Sequence, residues 1–132
     1  MKSILLLTFL SFIISTSSAQ KLESDGYSIK IKIENRSEDN MSKRTEGSYK
    51  IKKGSVQLSA DFSTLEFKKT KTSIKNFMNL IIRDKDGSGN TLTYDTDTKK
   101  YEWAGEVYNV DDTGSIESII LAGLLIYAKT RL

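Results

Sequence analysis

Hydrophobic and polar residues alternate over residues 27–34 and again over residues 49–62. Because successive side chains of a strand point to opposite faces of a sheet, both runs predict half-buried strands. Lys53-Gly54 interrupts the second run, and glycine allows the positive φ that a tight turn requires. The pattern therefore predicts one strand at residues 27–34, followed further along the chain by a hairpin that turns at Lys53-Gly54.

Two departures from the alternation flank that hairpin. Residues 35–46 contain one methionine and no other large apolar residue, which predicts a polar loop longer than a hairpin requires. After Phe62 the apolar positions change parity, to Leu65 and Phe67. Since a slip of one residue moves side chains to the other face of a sheet, we expect a β-bulge or bend near Ser63-Thr64.

Residues 73–83 fit two patterns. Their apolar residues have the spacing of a helix, but the run at residues 80–82 leads into a turn-rich segment typical of a hairpin tip. We favour a short helix or irregular turn at residues 73–78 that passes into a strand from about residue 79. Residues 91–95 and 100–104 are then expected to pair across the turn between them.

The C-terminal segment predicts a helix from about Ser115 to Lys129. Residues 119–128 are apolar around the whole circumference, and Glu117 lies in the first turn, where the helix dipole favours negative charge. Possible N-terminal caps precede it at Asp111, Asp112, Thr113 and Ser115. We expect this helix to be buried against the sheet, with a partner groove or membrane contact as the alternatives.

Together these elements predict a single small α+β domain over residues 20–132. Its core is expected to be a twisted antiparallel sheet of five to seven strands, packed against the one C-terminal helix. The length of the chain is that of one domain, large enough to bury a modest core.

Residues 1–19 predict a signal peptide. They begin with a single lysine, continue with an apolar run and finish with small residues that include Ser17 and Ala19. The apolar run is too short to span a membrane, which takes about 20 apolar residues. We therefore expect cleavage near Ala19-Gln20 and no transmembrane span. The mature protein is expected to be periplasmic or secreted.

The composition narrows the possible functions. The sequence has neither cysteine nor histidine, and its formal net charge is +3. Disulfides, Cys–His or Ser–His nucleophiles and the usual zinc ligands are therefore excluded. Nucleic-acid domains usually carry a concentrated basic stripe. We accordingly expect a non-catalytic protein with no nucleic-acid partner and no cofactor.

One acidic segment resembles a calcium loop in its spacing. Asp84, Asp86 and Gly89 occupy the first, third and sixth positions, with Ser88 at the fifth and Asp95 at the twelfth. The twelfth position departs from the pattern, because calcium loops carry a bidentate glutamate there. The segment predicts either a weak calcium site or a polar turn whose aspartates and glycines set the backbone geometry.

The aromatic residues Tyr101 and Trp103 share one face of their predicted strand, and Tyr94 lies on the strand facing it. An exposed cluster of this kind could stack on sugar rings. A small domain with one tryptophan more often buries it in the core, so both interpretations stay open.

Carboxylates are the catalytic groups that the composition leaves. Glu102 with Glu106, or Asp95 with Asp97, could form an acid–base pair of the glycosidase type, although solvated charges are the simpler interpretation.

The expected function is binding. Another protein is the leading partner, and a glycan, either bound or weakly hydrolysed, is the alternative. Residues 35–46 and 84–97 are the expected exposed recognition surfaces, because binding residues concentrate on loops.

Overall fold

Eight antiparallel strands and one helix form the computed structural model, which describes residues 19–67, 77–109 and 115–131. The strands lie in one sheet in chain order, each hydrogen-bonded to its sequence neighbours. Their bounds are β1 (Ala19–Ser24), β2 (Tyr27–Glu38), β3 (Ser42–Lys53), β4 (Val56–Phe67), β5 (Phe77–Arg83), β6 (Gly89–Asp95), β7 (Lys100–Trp103) and β8 (Glu106–Asn109), and the helix is α1 (Ile116–Arg131). The predicted signal peptide, apart from Ala19, lies outside the described residues.

The α+β class is confirmed, and the sheet has eight strands rather than five to seven. The two strands that no sequence pattern predicted, β1 and β8, are the edges of the sheet. β1 carries Leu22 as its only large apolar residue, and β8 is four residues long. Neither shows enough alternation to predict a strand from the sequence. Within the described residues, no helix is both long enough and apolar enough to cross a membrane.

The core lies between α1 and one face of the sheet, which we call the inner face. On β2 the buried residues are Tyr27, Ile29, Ile31 and Ile33, while the intervening side chains face the opposite, outer face. This confirms the strand predicted from the alternation. The β3 partners of the three isoleucines, Ile51, Tyr49 and Gly47, are buried as well, which extends the core across neighbouring strands.

A register shift on β2 changes which residues face inward. It lies between Ile33 and Asn35, where Ile33 pairs with Gly47. Before the shift odd-numbered residues of β2 face α1, and after it even-numbered residues do. Arg36 is consequently placed on the inner face, directly opposite the buried Thr45.

The bulge predicted near Ser63-Thr64 is wrong, because β4 pairs with β3 without interruption from Val56 to Phe67. Phe62 and Thr64 are both buried on the inner face, whereas Leu65 is partly buried on the outer face. The change of parity in the sequence therefore marks an apolar residue on the outer face and not a slip in register.

The long loop predicted at residues 35–46 is also wrong. β2 continues to Glu38 and β3 begins at Ser42, so only a tight turn separates them. Asp39 holds this turn, since its Oδ1 accepts hydrogen bonds from the backbone N–H of Met41 at 2.7 Å and of Ser42 at 2.8 Å. Polar composition was a poor guide here, because strand pairing continues past the last apolar residue.

The remaining strand predictions agree with the structure. The hairpin turns at Lys53-Gly54, with Gly54 at φ 61°, and β6 pairs with β7 across residues 96–99. The strand expected from about residue 79 begins two residues earlier, at Phe77. The helix or irregular turn expected at residues 73–78 lies outside the described residues, except for its last two positions, which are strand.

The predicted C-terminal helix is confirmed over Ile116–Arg131. Ser115 caps it, because its Oγ accepts the backbone N–H of Ser118 at 3.1 Å; the other possible caps, Asp111, Asp112 and Thr113, lie outside the described residues. Every residue from Ser118 to Ala128 is buried. Gly123 permits close packing on the sheet, since a Cβ there would lie 2.5 Å from Cδ2 of Leu80.

Candidate functional site

The inner face becomes polar at one end of the sheet. Beyond the bulge of β2, two adjacent rows of residues cross β2, β3 and β4 with their side chains on the face that elsewhere packs on α1. The strand register gives these rows as Arg36–Thr45–Thr64 and Glu38–Lys43–Glu66.

The row nearer the core, Arg36–Thr45–Thr64, separates the apolar core from the charged row. Thr45 and Thr64 lie opposite each other and are 7% and 2% exposed. The next row outward is charged, with Glu38 and Lys43 exposed and Glu66 partly buried. Apolar core therefore gives way to hydroxyl groups and then to charges within two rows of the same face.

A cavity of about 660 Å³ lies over these rows, beside the start of α1. Its apolar wall consists of Met78, Tyr94, Ile116 and Ile119, and the charged and hydroxyl-bearing residues form the rest of the lining. The cavity opens to solvent, since Lys43 and Lys99 in its lining are exposed. Its size is in the range of small-ligand pockets, and it also suits a short segment of a polymer.

Positive charge predominates in the lining. Three cationic side chains and two carboxylates on the inner side contribute to it: Arg36, Lys43, Lys99, Glu38 and Glu66. Arg44 also borders the cavity, but it pairs with Leu65, so its side chain lies on the outer face. Arg36 also forms an ion pair with Glu117 in the first turn of α1. This pair ties the end of β2 to the helix, on one side of the cavity.

The predicted aromatic residues lie together, but against the helix. Tyr94 and Tyr101 are 2% and 0% exposed, and their ring centroids are 4.7 Å apart. The indole N–H of Trp103, which is partly buried, donates to Thr130 Oγ1 at 3.0 Å, and its ring meets Tyr127 edge-on. An exposed platform of all three rings is therefore corrected to a packed cluster at the sheet–helix interface. Tyr94 alone among them also lines the cavity.

Asp84, Asp86 and Ser88 of the calcium-loop pattern lie together in the β5–β6 turn, where the Ser88 hydroxyl lies 3.4 Å from Asp84 Oδ2, but Asp95 does not join them. Asp84 Oδ2 lies 2.6 Å from Arg131 Nη2, and Asp86 Oδ1 accepts hydrogen bonds from the N–H and the hydroxyl of Ser88. These bonds lower the pKa of Asp86. Asp95 lies at the far end of β6, where it accepts the backbone N–H groups of residues 97 and 98.

The β5–β6 turn thus accounts for Asp84 and Asp86, and the β6–β7 turn accounts for Asp95. Since β6 is seven residues long, Asp95 is about 20 Å from the tip of the β5–β6 hairpin. Among the described residues, no group of three or more acidic side chains could hold a metal ion. The polar-turn interpretation is the one that the hydrogen bonds support, with Gly87 at φ 88° completing the turn.

The carboxylate pairs do not face a common cleft. Glu102 pairs with Val107, and Glu106 pairs with Trp103, so the two glutamates lie on opposite faces of the sheet. Asp95 uses its carboxylate to accept the backbone N–H of Asp97.

Sequence reasoning missed most of the cavity because Arg36, Glu38 and Lys43 fall within residues 35–46, the stretch predicted as a loop. The bulge of β2 determines the inward orientation of Arg36 and Glu38. The one available signal was Gly47, a small residue in an otherwise strand-like run, because glycine inside a strand often marks a bulge or a close backbone approach.

Comparison with protein-family models, with curated proteins and with solved structures finds no match for this chain.

Proposed function

We propose that this protein is an exported, non-catalytic binding domain that holds an acidic segment of another protein in the cavity beside the start of α1. The observation that carries the proposal is the charged row Glu38–Lys43–Glu66 on the inner face of the sheet. Most inner-face positions of β2 to β6 elsewhere contribute to the apolar core. A charged residue at such a position does not add the stabilisation that a buried apolar side chain would. A binding role accounts for the presence of charges there.

The chemistry of the lining favours an acidic ligand. Lys43 and Lys99 are exposed in it, and the inner-side cations Arg36, Lys43 and Lys99 outnumber the two carboxylates by one. Lysine and arginine form their strongest hydrogen bonds with carboxylates. The two carboxylates of the lining and the threonine hydroxyls can accept hydrogen bonds from the backbone N–H groups of a peptide.

A protein segment matches the mixed character of the walls. The apolar side offers Met78, Ile116 and Ile119 to aliphatic parts of a ligand, opposite the charged row. A peptide with acidic and apolar side chains supplies both kinds of group. The residues 35–46 expected as a recognition loop contribute to this surface, as strand ends that line the cavity.

The absence of histidine and cysteine from the sequence supports a non-catalytic role. The placement of Glu102 and Glu106 on opposite faces of the sheet supports it further. The signal-peptide pattern of residues 1–19 supports export, to the periplasm or the medium.

A glycan is the second candidate ligand, and the observation in its favour is Tyr94. Tyr94 lines the cavity beside hydroxyl-bearing and charged side chains, with 2% of its surface exposed. Aromatic faces and polar groups of this kind bind sugars. A neutral oligosaccharide would, however, leave the excess positive charge of the lining without a partner.

Binding of a labelled peptide tests the proposal. The probe alternates glutamate with valine, and its affinity is measured by fluorescence anisotropy at low salt. We expect the Lys43→Gln/Lys99→Gln variant to bind at least about tenfold more weakly, because charge-assisted hydrogen bonds are lost. The Lys85→Gln/Lys100→Gln variant, which removes the same charge outside the cavity, serves as the matched control.

The proposal fails if both variants bind the peptide as the original protein does, or if both lose it equally. Saturable binding of a neutral oligosaccharide in place of the acidic peptide would favour the glycan alternative.

A further inference from the structure

Five lysines form an array on the outer face of β1, β2 and β3. Lys21, Lys30 and Lys50 lie directly opposite one another in adjacent strands. Lys32 and Lys52 lie two residues to either side of this central row, on the same face. All five side chains are exposed. We call these five residues the lysine array.

The array extends in two dimensions. Adjacent strands are about 4.8 Å apart, and residues two positions apart along a strand are separated by about 6.8 Å. Three strands and three rows therefore place five ammonium groups over an area of about 10 Å by 14 Å. The result is a charged surface rather than a single line of charges.

Carboxylates neutralise only part of this surface. Two of them lie in the same three rows of the described strands, Glu23 on β1 and Asp61 on β4. Glu23 Oε2 pairs with Lys21 Nζ at 2.9 Å. The hydrogen bond and the charge of Lys21, together with the charge of Lys30, lower the pKa of Glu23. The array keeps a clear excess of positive charge.

Such an arrangement costs stability in the absence of a partner. Like charges directly opposite each other on neighbouring strands repel. Alternating the signs along the central row would have relieved this repulsion without changing the core. The repeated lysines are instead suited to contact with a negatively charged surface.

We propose that the lysine array docks the protein onto the surface of an anionic phospholipid bilayer. A bilayer presents phosphate groups in two dimensions, which matches an array spread over three strands, whereas a linear polyanion would follow one row. Lysine is a compact charge on a flexible stem, and clusters of four to eight basic residues bind anionic membranes. Because the array and the cavity lie on opposite faces of the sheet, this inference is independent of the proposed ligand site.

Vesicle co-sedimentation tests the proposal. The probes are vesicles of phosphatidylcholine alone and of phosphatidylcholine with phosphatidylglycerol, at low and physiological salt. We compare the original protein with the array variant Lys21→Gln/Lys30→Gln/Lys50→Gln. The matched control is Arg83→Gln/Lys85→Gln/Lys100→Gln, which removes three exposed charges outside the array.

We expect binding only to the vesicles that contain phosphatidylglycerol, weakening as salt rises. The array variant should bind them at least about tenfold more weakly than the control variant. Its melting temperature should be equal to or above that of the original protein, because repulsion within the row is removed. This readout separates loss of docking from loss of folding.

Three results would overturn the proposal. The first is equal binding to both kinds of vesicle, and the second is equal loss in the array and control variants. The third is a preference for heparin or duplex DNA over the anionic vesicles at matched charge concentration, which would assign the array to a soluble polyanion. Loss of peptide binding in the cavity variant has no bearing on any of these outcomes.

Discussion

Lys43 lies directly opposite Glu66 across the β3–β4 pair, on the face of the sheet that packs on the helix elsewhere. One row nearer the core, Thr45 and Thr64 are buried at equivalent positions. The inner face thus serves two purposes, since most of it stabilises the fold and its end forms a polar cavity. The boundary between them follows the bulge of β2.

The first prediction concerns the cost of that charged pair. We expect Lys43→Val/Glu66→Val to be at least as stable as the original protein, because valine favours strands and opposite charges at partly exposed positions contribute little. Urea denaturation measures the change. A loss of more than about 2 kcal/mol, the size of a substantial core defect, would mean that the pair serves stability and not binding.

The second prediction concerns Gly47 at the bulge. A Cβ at this position would lie 2.1 Å from the backbone oxygen of Lys32, which cannot move aside as a side chain could. We expect Gly47→Ala to lower the free energy of unfolding by about 2–3 kcal/mol, the cost of overpacking. Chemical denaturation of the two proteins provides the measurement.

Gly54→Ala is the matched control for this substitution. Gly54 has φ 61° and open space around it, so only the backbone conformation opposes a side chain. The expected cost is about 1 kcal/mol. If the two substitutions destabilise the protein equally, the close approach of β2 to β3 at Gly47 is not as described.

The third prediction concerns Tyr49 and alkaline pH. Burial, followed by the charge of Asp84, raises the pKa of its phenol from 10.0 to about 12, and the hydroxyl donates to the backbone oxygen of Arg83. Because the folded pKa is the higher one, the stabilisation is complete below the unfolded pKa. It is lost as pH rises from that value through the folded pKa.

The free energy of unfolding of the original protein should therefore fall over this alkaline range, and more steeply than that of Tyr49→Phe. Urea titrations on both sides of the range give the two slopes, and tyrosinate absorbance follows the ionisation. Identical slopes for the two proteins would show that Tyr49 ionises as readily when folded as when unfolded.

The fourth prediction concerns calcium. Asp84 faces Arg131, and Asp95 holds a turn at the other end of β6. We expect millimolar calcium to leave the melting temperature and the amide resonances of residues 84–95 unchanged, with magnesium as the control for ionic strength. A saturable shift of these resonances with calcium alone would restore the calcium-loop interpretation.

Sequence periodicity was sufficient for the elements with apolar residues on one face. β2, the Lys53-Gly54 hairpin and the C-terminal helix all follow from such patterns, and Ser115 was recognisable as a cap. The edge strands were not predictable in this way, because an edge with one apolar residue resembles a loop. Tertiary pairing with a neighbouring strand decides their structure.

The cavity could not be predicted from the sequence for a related reason. The inward orientation of Arg36 depends on one extra residue in β2, and Gly47 on the partner strand was the one local signal of that bulge. The same limit explains the incorrect bulge near Ser63-Thr64, where an apolar Leu65 on the outer face resembled a slip. The aromatic residues, in contrast, were correctly placed on facing strands.

The most direct test of the proposed binding site is a nuclear magnetic resonance titration of the uniformly ¹⁵N-labelled protein with the unlabelled glutamate–valine peptide. We predict saturable shifts confined to the amides around the cavity, at Lys43, Thr45, Thr64 and Lys99. The amides of Lys30 and Lys50 on the outer face should not move. Shifts centred on the outer face, or no saturable shift at any peptide concentration, would contradict the account.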